Sequence, residues 1–198
     1  LHFENYEKAW VNSDVSTIFF NSLFYSLSSV FLLILICAPA AYALSRFDFA
    51  CNKLIQHFFV ASMGVPVVMI VLPLFALVAG LDILNNVTAN KLTLILLYVG
   101  INVPYTTIFL MGFFSNISRA FEEAAAIDGC APGRTFWEIM LPMAQPGIIT
   151  VSIFNFINVW NEYFISLIFG NSDKVRSVAV GLYSMINSIL RVIDFSRL

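Results

Sequence analysis

The sequence predicts an all-α integral membrane protein, and three observations carry that prediction. Hydrophobic residues make up 60% of the 198 residues while charged residues make up only 11%, less than half the roughly 25% of a soluble domain. Mean hydropathy is +0.86. Segments 15–45, 54–81, 92–118 and 139–161 carry no Asp, Glu, Lys or Arg, and each exceeds the roughly 20 residues that a helix needs to cross about 30 Å of hydrocarbon. These runs are continuous rather than alternating, which favours helices over a barrel.

Four spans follow. The first runs from about 18 to 44, with Asn21, Ser22, Ser26, Ser28 and Ser29 in its opening half, small polar groups that let helices approach closely and hydrogen-bond. Pro39 near its end frees a backbone carbonyl one turn earlier. The second, about 54–78, contains Gly64-Val65-Pro66 and Pro73, and two prolines predict a kinked or broken helix. The third, about 92–114, carries Asn102 and Pro104. The fourth covers about 146–168. No soluble domain, tandem repeat or low-complexity linker interrupts the series, so 1–198 reads as a single domain.

Bulk chemistry excludes several classes. A net charge of −2 gives no electrostatic footprint for nucleic acid. Cys37, Cys51 and Cys130 have no metal or redox spacing, and His2 and His57 form no metal set. With no Gly-rich phosphate loop, ATP must bind elsewhere. An intramembrane enzyme would need clustered acid/base or metal-binding groups at membrane depth, whereas Glu162 is the only carboxylate inside a span. The twenty phenylalanines read as lipid-facing and inter-helix packing.

Between the third and fourth spans, 115–145 forms a polar loop. Ser118 is placed to cap a short helix, Glu122 and Glu123 oppose its positive end, and Phe121, Ala124, Ala125 and Asp128 recur at helical spacing. Gly129 suits a left-handed C-terminal position and Pro132 blocks continuation. A second short helix carries Phe136, Trp137, Met140 and Leu141 on one side and stops at Pro142, and Thr135 with Glu138 has capping-box spacing. Ala124-Ala125-Ala126 would let a partner come close. Periodicity alone favours an amphipathic hairpin lying on the bilayer.

The fixed spacing reverses that balance. Glu123-Ala124-Ala125, three residues, Gly129, nine residues, then Ile139-Met140-Leu141-Pro142 resembles the cytoplasmic coupling loop of ABC importer permeases, the EAA signature. Leu1-His2-Phe3-Glu4-Asn5-Tyr6, Asn21-Ser22, Ala40 to Phe47 and Trp160-Asn161-Glu162-Tyr163-Phe164 are similar to segments of carbohydrate-uptake permeases, in particular the maltose-type permease subunit without a large external insertion. Departures are small: Ser118 stands where proline is common, and Cys130-Ala131-Pro132 replaces a more usual small polar run.

The resemblance implies a type I importer transmembrane domain with four of six spans present. It also implies a chain that lacks the first and last spans and belongs to a longer protein. It implies a non-enzymatic permease subunit in a bacterial or archaeal plasma membrane. The partners would be an ATPase homodimer, a second and usually different permease, an external solute-binding protein and lipid. No cofactor would bind this chain, ATP and magnesium belonging to the ATPase. Glu122, Glu123, Ala124, Ala125, Asp128, Gly129, Ile139, Leu141 and Pro142 would form the coupling contact. The basic-residue count runs against a cytoplasmic loop, with Arg46, Lys53, Arg119 and Arg134 on its side and Lys8, Lys91, Lys174, Arg176, Arg191 and Arg197 on the other; the resemblance sets the orientation. An importer of amino acids, peptides or phosphate shares the loop and stays open as an alternative.

For the pathway, Asn155, Asn158 and Glu162 recur at i, i+3 and i+7, which puts them on one face of a continuous helix. With Asn161 and Tyr163 beside them, and Pro66 shaping the second span, they are candidates for contacting sugar hydroxyls. The alternative is that the same groups join helices or pair within the subunit.

Overall fold

The computed structural model describes residues 14–81, 83–170 and 172–195, with side chains as far as residue 187. The segment Leu1 to Tyr6, Lys8 and Arg197, used above, lie outside the residues so described, as does the side chain of Arg191. The described residues are almost entirely helical. In order they form α1 (Val15–Arg46), α2 (Asn52–Ser62), α3 (Val67–Gly80), a 3₁₀ turn (Ile83–Asn85), α4 (Val87–Asn116), α5 (Ala120–Ile127), α6 (Pro132–Met143), α7 (Gln145–Asn161), α8 (Phe164–Phe169) and α9 (Val178–Phe195).

Among the described residues, only α1 and α4 are unbroken helices long and apolar enough to cross a membrane; the pairs α2–α3 and α6–α7 make up to four spans if each bent pair counts as one. α1 continues through Pro39 and α4 through Pro104 without interruption. The second span breaks where Gly64 and Pro66 stand, α2 and α3 meeting at 94°, while Pro73 stays inside α3. At 1.5 Å per residue the two pieces are about 16 and 21 Å long, so neither alone covers the hydrocarbon.

The fourth span departs from the sequence reading. It is not one helix over 146–168: α7 stops at Asn161 and α8 starts at Phe164. No proline or glycine stands at this break. The Glu162 carboxylate stabilises it, its Oε1 accepting from the Ile165 N–H at 2.8 Å and its Oε2 from the Ser166 N–H at 3.1 Å. A side chain thereby satisfies the amides that a broken helix strands in an apolar setting.

The chain divides into two compact units. One contains residues up to Ser29, Ile70–Tyr98 and the chain from Phe156 onward. Its centre holds Tyr25, Leu94, Tyr98 and Phe169, all essentially inaccessible. Here Asn21 and Ser22 of α1 hold the loop that precedes α9. Asn21 donates to the Lys174 and Arg176 carbonyls at 2.9 and 3.1 Å and accepts from Lys91 Nζ at 2.7 Å. Tyr25 donates to the Val175 carbonyl at 2.7 Å, and Ser22 Oγ accepts from the Val178 N–H at 2.8 Å, capping α9.

The other unit comprises Val30–Met69 and Val99–Asn155. Leu33, Leu110, Phe114 and Met140 are buried in it. α4 and α7 approach closely at Gly147, where any Cβ would collide with the Phe113 ring, the small-residue contact expected between membrane helices. After α1 the chain turns back under the control of Asn52, whose amide donates to the Leu44 and Phe47 carbonyls, with Gln56 bonded to Asn52 and Leu44.

Candidate functional site

The candidate site is the polar loop of the second unit, and its conformation follows from a few residues. Ser118 Oγ accepts from the Ala120 N–H at 3.3 Å, and the Glu122 and Glu123 carboxylates sit in the first turn of α5. The helix ends in the left-handed turn that the glycine invites: Gly129 has φ +78°. Its N–H donates to the Ala126 carbonyl at 3.1 Å and the Cys130 N–H reaches back to Ala125 at 2.9 Å, the paired 5→2 and 6→1 bonds of a Schellman closure.

The second helix differs from its prediction in three ways. Pro132 occupies its first turn and Ala131 precedes it in an extended conformation, so the helix begins three residues before Thr135. Thr135 is therefore interior and donates to the Ala131 carbonyl, and no capping box forms with Glu138. Glu138 instead accepts from Arg134, Nε lying 2.9 Å from both carboxylate oxygens, which raises the arginine pKa further. Residues Phe136–Met140 widen into a π turn, a local unwinding often found at functional positions. Phe136 and Met140 are buried while Trp137 is 55% exposed, so Trp137 does not share their side. Pro142 does not end the helix; it runs to Met143 and turns by 71° into α7 at Ala144.

The proposed coupling residues divide into two sets. Ala125 is buried against the unit. Glu122 is half-buried: it accepts a hydrogen bond from the Tyr42 hydroxyl at 2.7 Å and pairs with Arg46, Nε to Oε2 3.4 Å. Ile139 and Leu141 are half-buried. Glu123, Ala124, Asp128, Gly129 and Pro142 are exposed, and beside them Ile127 is 87% exposed. Ile127 was missed in the sequence, where an isoleucine reads as core. A cavity of about 330 Å³ opens between the end of α1 and the loop, lined by Tyr42, Arg46, Arg119, Glu122 and Glu123 among others.

The pathway candidates are not brought together as one stripe. Asn155 is buried and donates to Thr106 Oγ1 at 2.9 Å, an inter-helix bond between α7 and α4. Asn158 and Asn161 are exposed, and the Asn161 amide bonds back to the Ile157 carbonyl at 2.9 Å. Glu162 is half-buried in the helix break, with Tyr98 interacting beside it, and Tyr163 packs edge-on to Tyr183 at 5.1 Å. Trp160 stacks on Phe156 and meets Phe19 edge-on at 5.4 Å. Pro66 is exposed at the α2–α3 break. The face drawn for Asn155, Asn158 and Glu162 presumed a helix through 162, and the helix ends one residue earlier. Among the described residues no group of His, Cys, Asp and Glu could hold a metal ion.

Residues 31–195 match the family model described as "Binding-protein-dependent transport system inner membrane component", and the chain belongs to that family. It is 34% identical, over 99% of its own length and 64% of the relative's, to the diacetylchitobiose uptake system permease protein NgcG of Streptomyces coelicolor. It is 35% identical to the sulfoquinovosyl glycerol transport system permease protein SmoH of Agrobacterium fabrum, covering 90% of this chain and 61% of that one. The maltodextrin transport system permease protein MalD of Streptococcus pneumoniae is 28% identical over 99% of this chain and 69% of its own. The chain thus spans less than two thirds of the first two. A chain in the crystal structure of a bacterial ABC transporter involved in the import of the acidic polysaccharide alginate superposes with TM-score 0.72 at 24% identity, over 84% of this chain and 56% of that one, and so shares its fold.

Proposed function

We propose that this chain is the permease subunit of an ATP-driven, binding-protein-dependent importer of sugars or oligosaccharides, lining half of the translocation pathway in a bacterial or archaeal plasma membrane. The observation that carries it is the exposed face of α5. Glu123, Ala124, Ile127 and Asp128 stand clear of the unit while Ala125 and Glu122 face inward. A small-residue helix with one uncovered isoleucine and two flanking carboxylates suits a groove that offers an apolar floor and basic edges. That groove belongs to an ATPase, homodimeric and carrying the ATP and magnesium. The sugar assignment draws on relatives named for diacetylchitobiose, sulfoquinovosyl glycerol and maltodextrin. A second permease, different from this one, and an external binding protein complete the assembly.

The test is cross-linking from Ala124→Cys in native membranes, in the full-length protein with Cys51 and Cys130 replaced by serine. A nucleotide-dependent cross-link to an ATPase subunit is expected. Cross-links confined to lipid and neighbouring spans, with uptake intact, would return the loop to a hairpin on the bilayer surface.

A further inference from the structure

The inward side of α5 makes an attachment that the docking face does not require. Tyr42 and Arg46 stand one turn apart at the end of α1, and both reach Glu122, 80 and 76 positions onward in the sequence. The Tyr42 hydroxyl occupies Oε1 at 2.7 Å and the Arg46 guanidinium lies 3.4 Å from Oε2, so both carboxylate oxygens are engaged. Arg46 also donates to the Ile117 carbonyl, in the turn that leads into α5. The Arg46 side chain is only 5% exposed and that of Glu122 only 20%, which shields the pair from the screening that weakens surface ion pairs. The Tyr42 ring is held on its own account, against Phe114 of α4 at 5.6 Å and Phe136 of α6 at 5.1 Å.

We infer that Tyr42, Arg46 and Glu122 form a latch that joins α5 to the end of α1, so that displacement of the short helix enters the membrane through α1 as well as through the helices adjoining the loop. Glu122 is then a positioning residue and not part of the docking contact, a role left to Glu123 beside it. A covalent chain alone would let α5 swivel on the turns at Ile117 and Gly129. The latch removes that freedom, because a carboxylate held by a hydrogen bond on one oxygen and by an ion pair on the other restrains both the height and the rotation of the helix.

This inference rests on the importer reading, and its test separates the two. Spin labels at Leu35→Cys on α1 and Ala120→Cys on α5, with Cys51 and Cys130 as serine, report the α1–α5 distance. The probe is magnesium ATP with vanadate, added to the complete transporter in lipid. In the native pair the distance is expected to be narrow and unchanged by nucleotide. Glu122→Gln is expected to broaden it about twofold, an order set by motion of a freed surface segment. Tyr42→Phe, which keeps the ring packing, is expected to broaden it less. Exchanging the charges, with Arg46→Glu and Glu122→Arg together, is expected to narrow it again. If no ATPase copurifies with the unsubstituted permease, the importer reading itself falls. If the ATPase copurifies and the native distance shifts with nucleotide, the latch is refuted. It is equally refuted if both single variants match the native distribution.

Discussion

Gly129 and Glu162 each stand where one helix gives way to the next, and they serve that break by different means. At Gly129 nothing lies within 4 Å of where a Cβ would stand, so a substitution there is penalised by its positive φ alone. Gly129→Ala is expected to cost about 1 kcal/mol, and Gly129→Asn less, because asparagine tolerates the left-handed region. Thermal unfolding of the detergent-solubilised protein measures both. Glu162 holds the Ile165 and Ser166 amides. Glu162→Ala is expected to lower stability by about 1–2 kcal/mol, the value of a lost helix cap, with Glu162→Gln intermediate. A sugar-contacting carboxylate would behave otherwise, raising the KM of uptake at unchanged stability. The glycine was legible in the sequence because only one residue type suits that backbone. The role of Glu162 was not, since a lone carboxylate in an apolar run looks the same whether it meets a solute or its own backbone.

Among the elements, α7 depends most on a single small residue. Gly147→Leu is expected to separate α7 from α4 at Phe113 and to destabilise the protein by about 1–3 kcal/mol, the cost of overpacking; Phe113→Ala in the same chain should recover part of the loss. Circular dichroism melts of the single and double variants check this. The helices themselves were legible wherever charge-free runs exceeded membrane thickness, and the α2–α3 break was legible from Gly64 and Pro66. The capping box was misread because Pro132 starts α6 earlier than Thr135, and Arg134 then claims Glu138. The π turn at Phe136–Met140 leaves no composition signal, since its register is set by how Phe136 and Met140 seat in the unit.

For the whole molecule, hydropathy and the spacing of the loop motif carried the fold class and the family. They could not say which α5 side chains face out, because that depends on Tyr42 and Arg46, distant in sequence. They also placed Asn155, Asn158 and Glu162 on one helix face, yet α7 ends at Asn161, and its last turns from Phe156 on belong to a different compact unit from Asn155. That division arises from helices that pass from one unit into the other, a property no local window contains.

The near-complete exposure of Ile127, with Trp137 also uncovered, bears on how a cell handles the protein before assembly. On the importer reading, an unassembled copy displays apolar side chains to an aqueous compartment full of chaperones and proteases, and such patches attract them. Surplus copies are therefore expected to disappear within a pulse–chase experiment when the ATPase gene is deleted and to persist when it is restored. Ile127→Ser should lengthen the life of the orphan while weakening the assembled transporter. The same side chain would then act as a tally of subunit stoichiometry, visible only while a partner is missing.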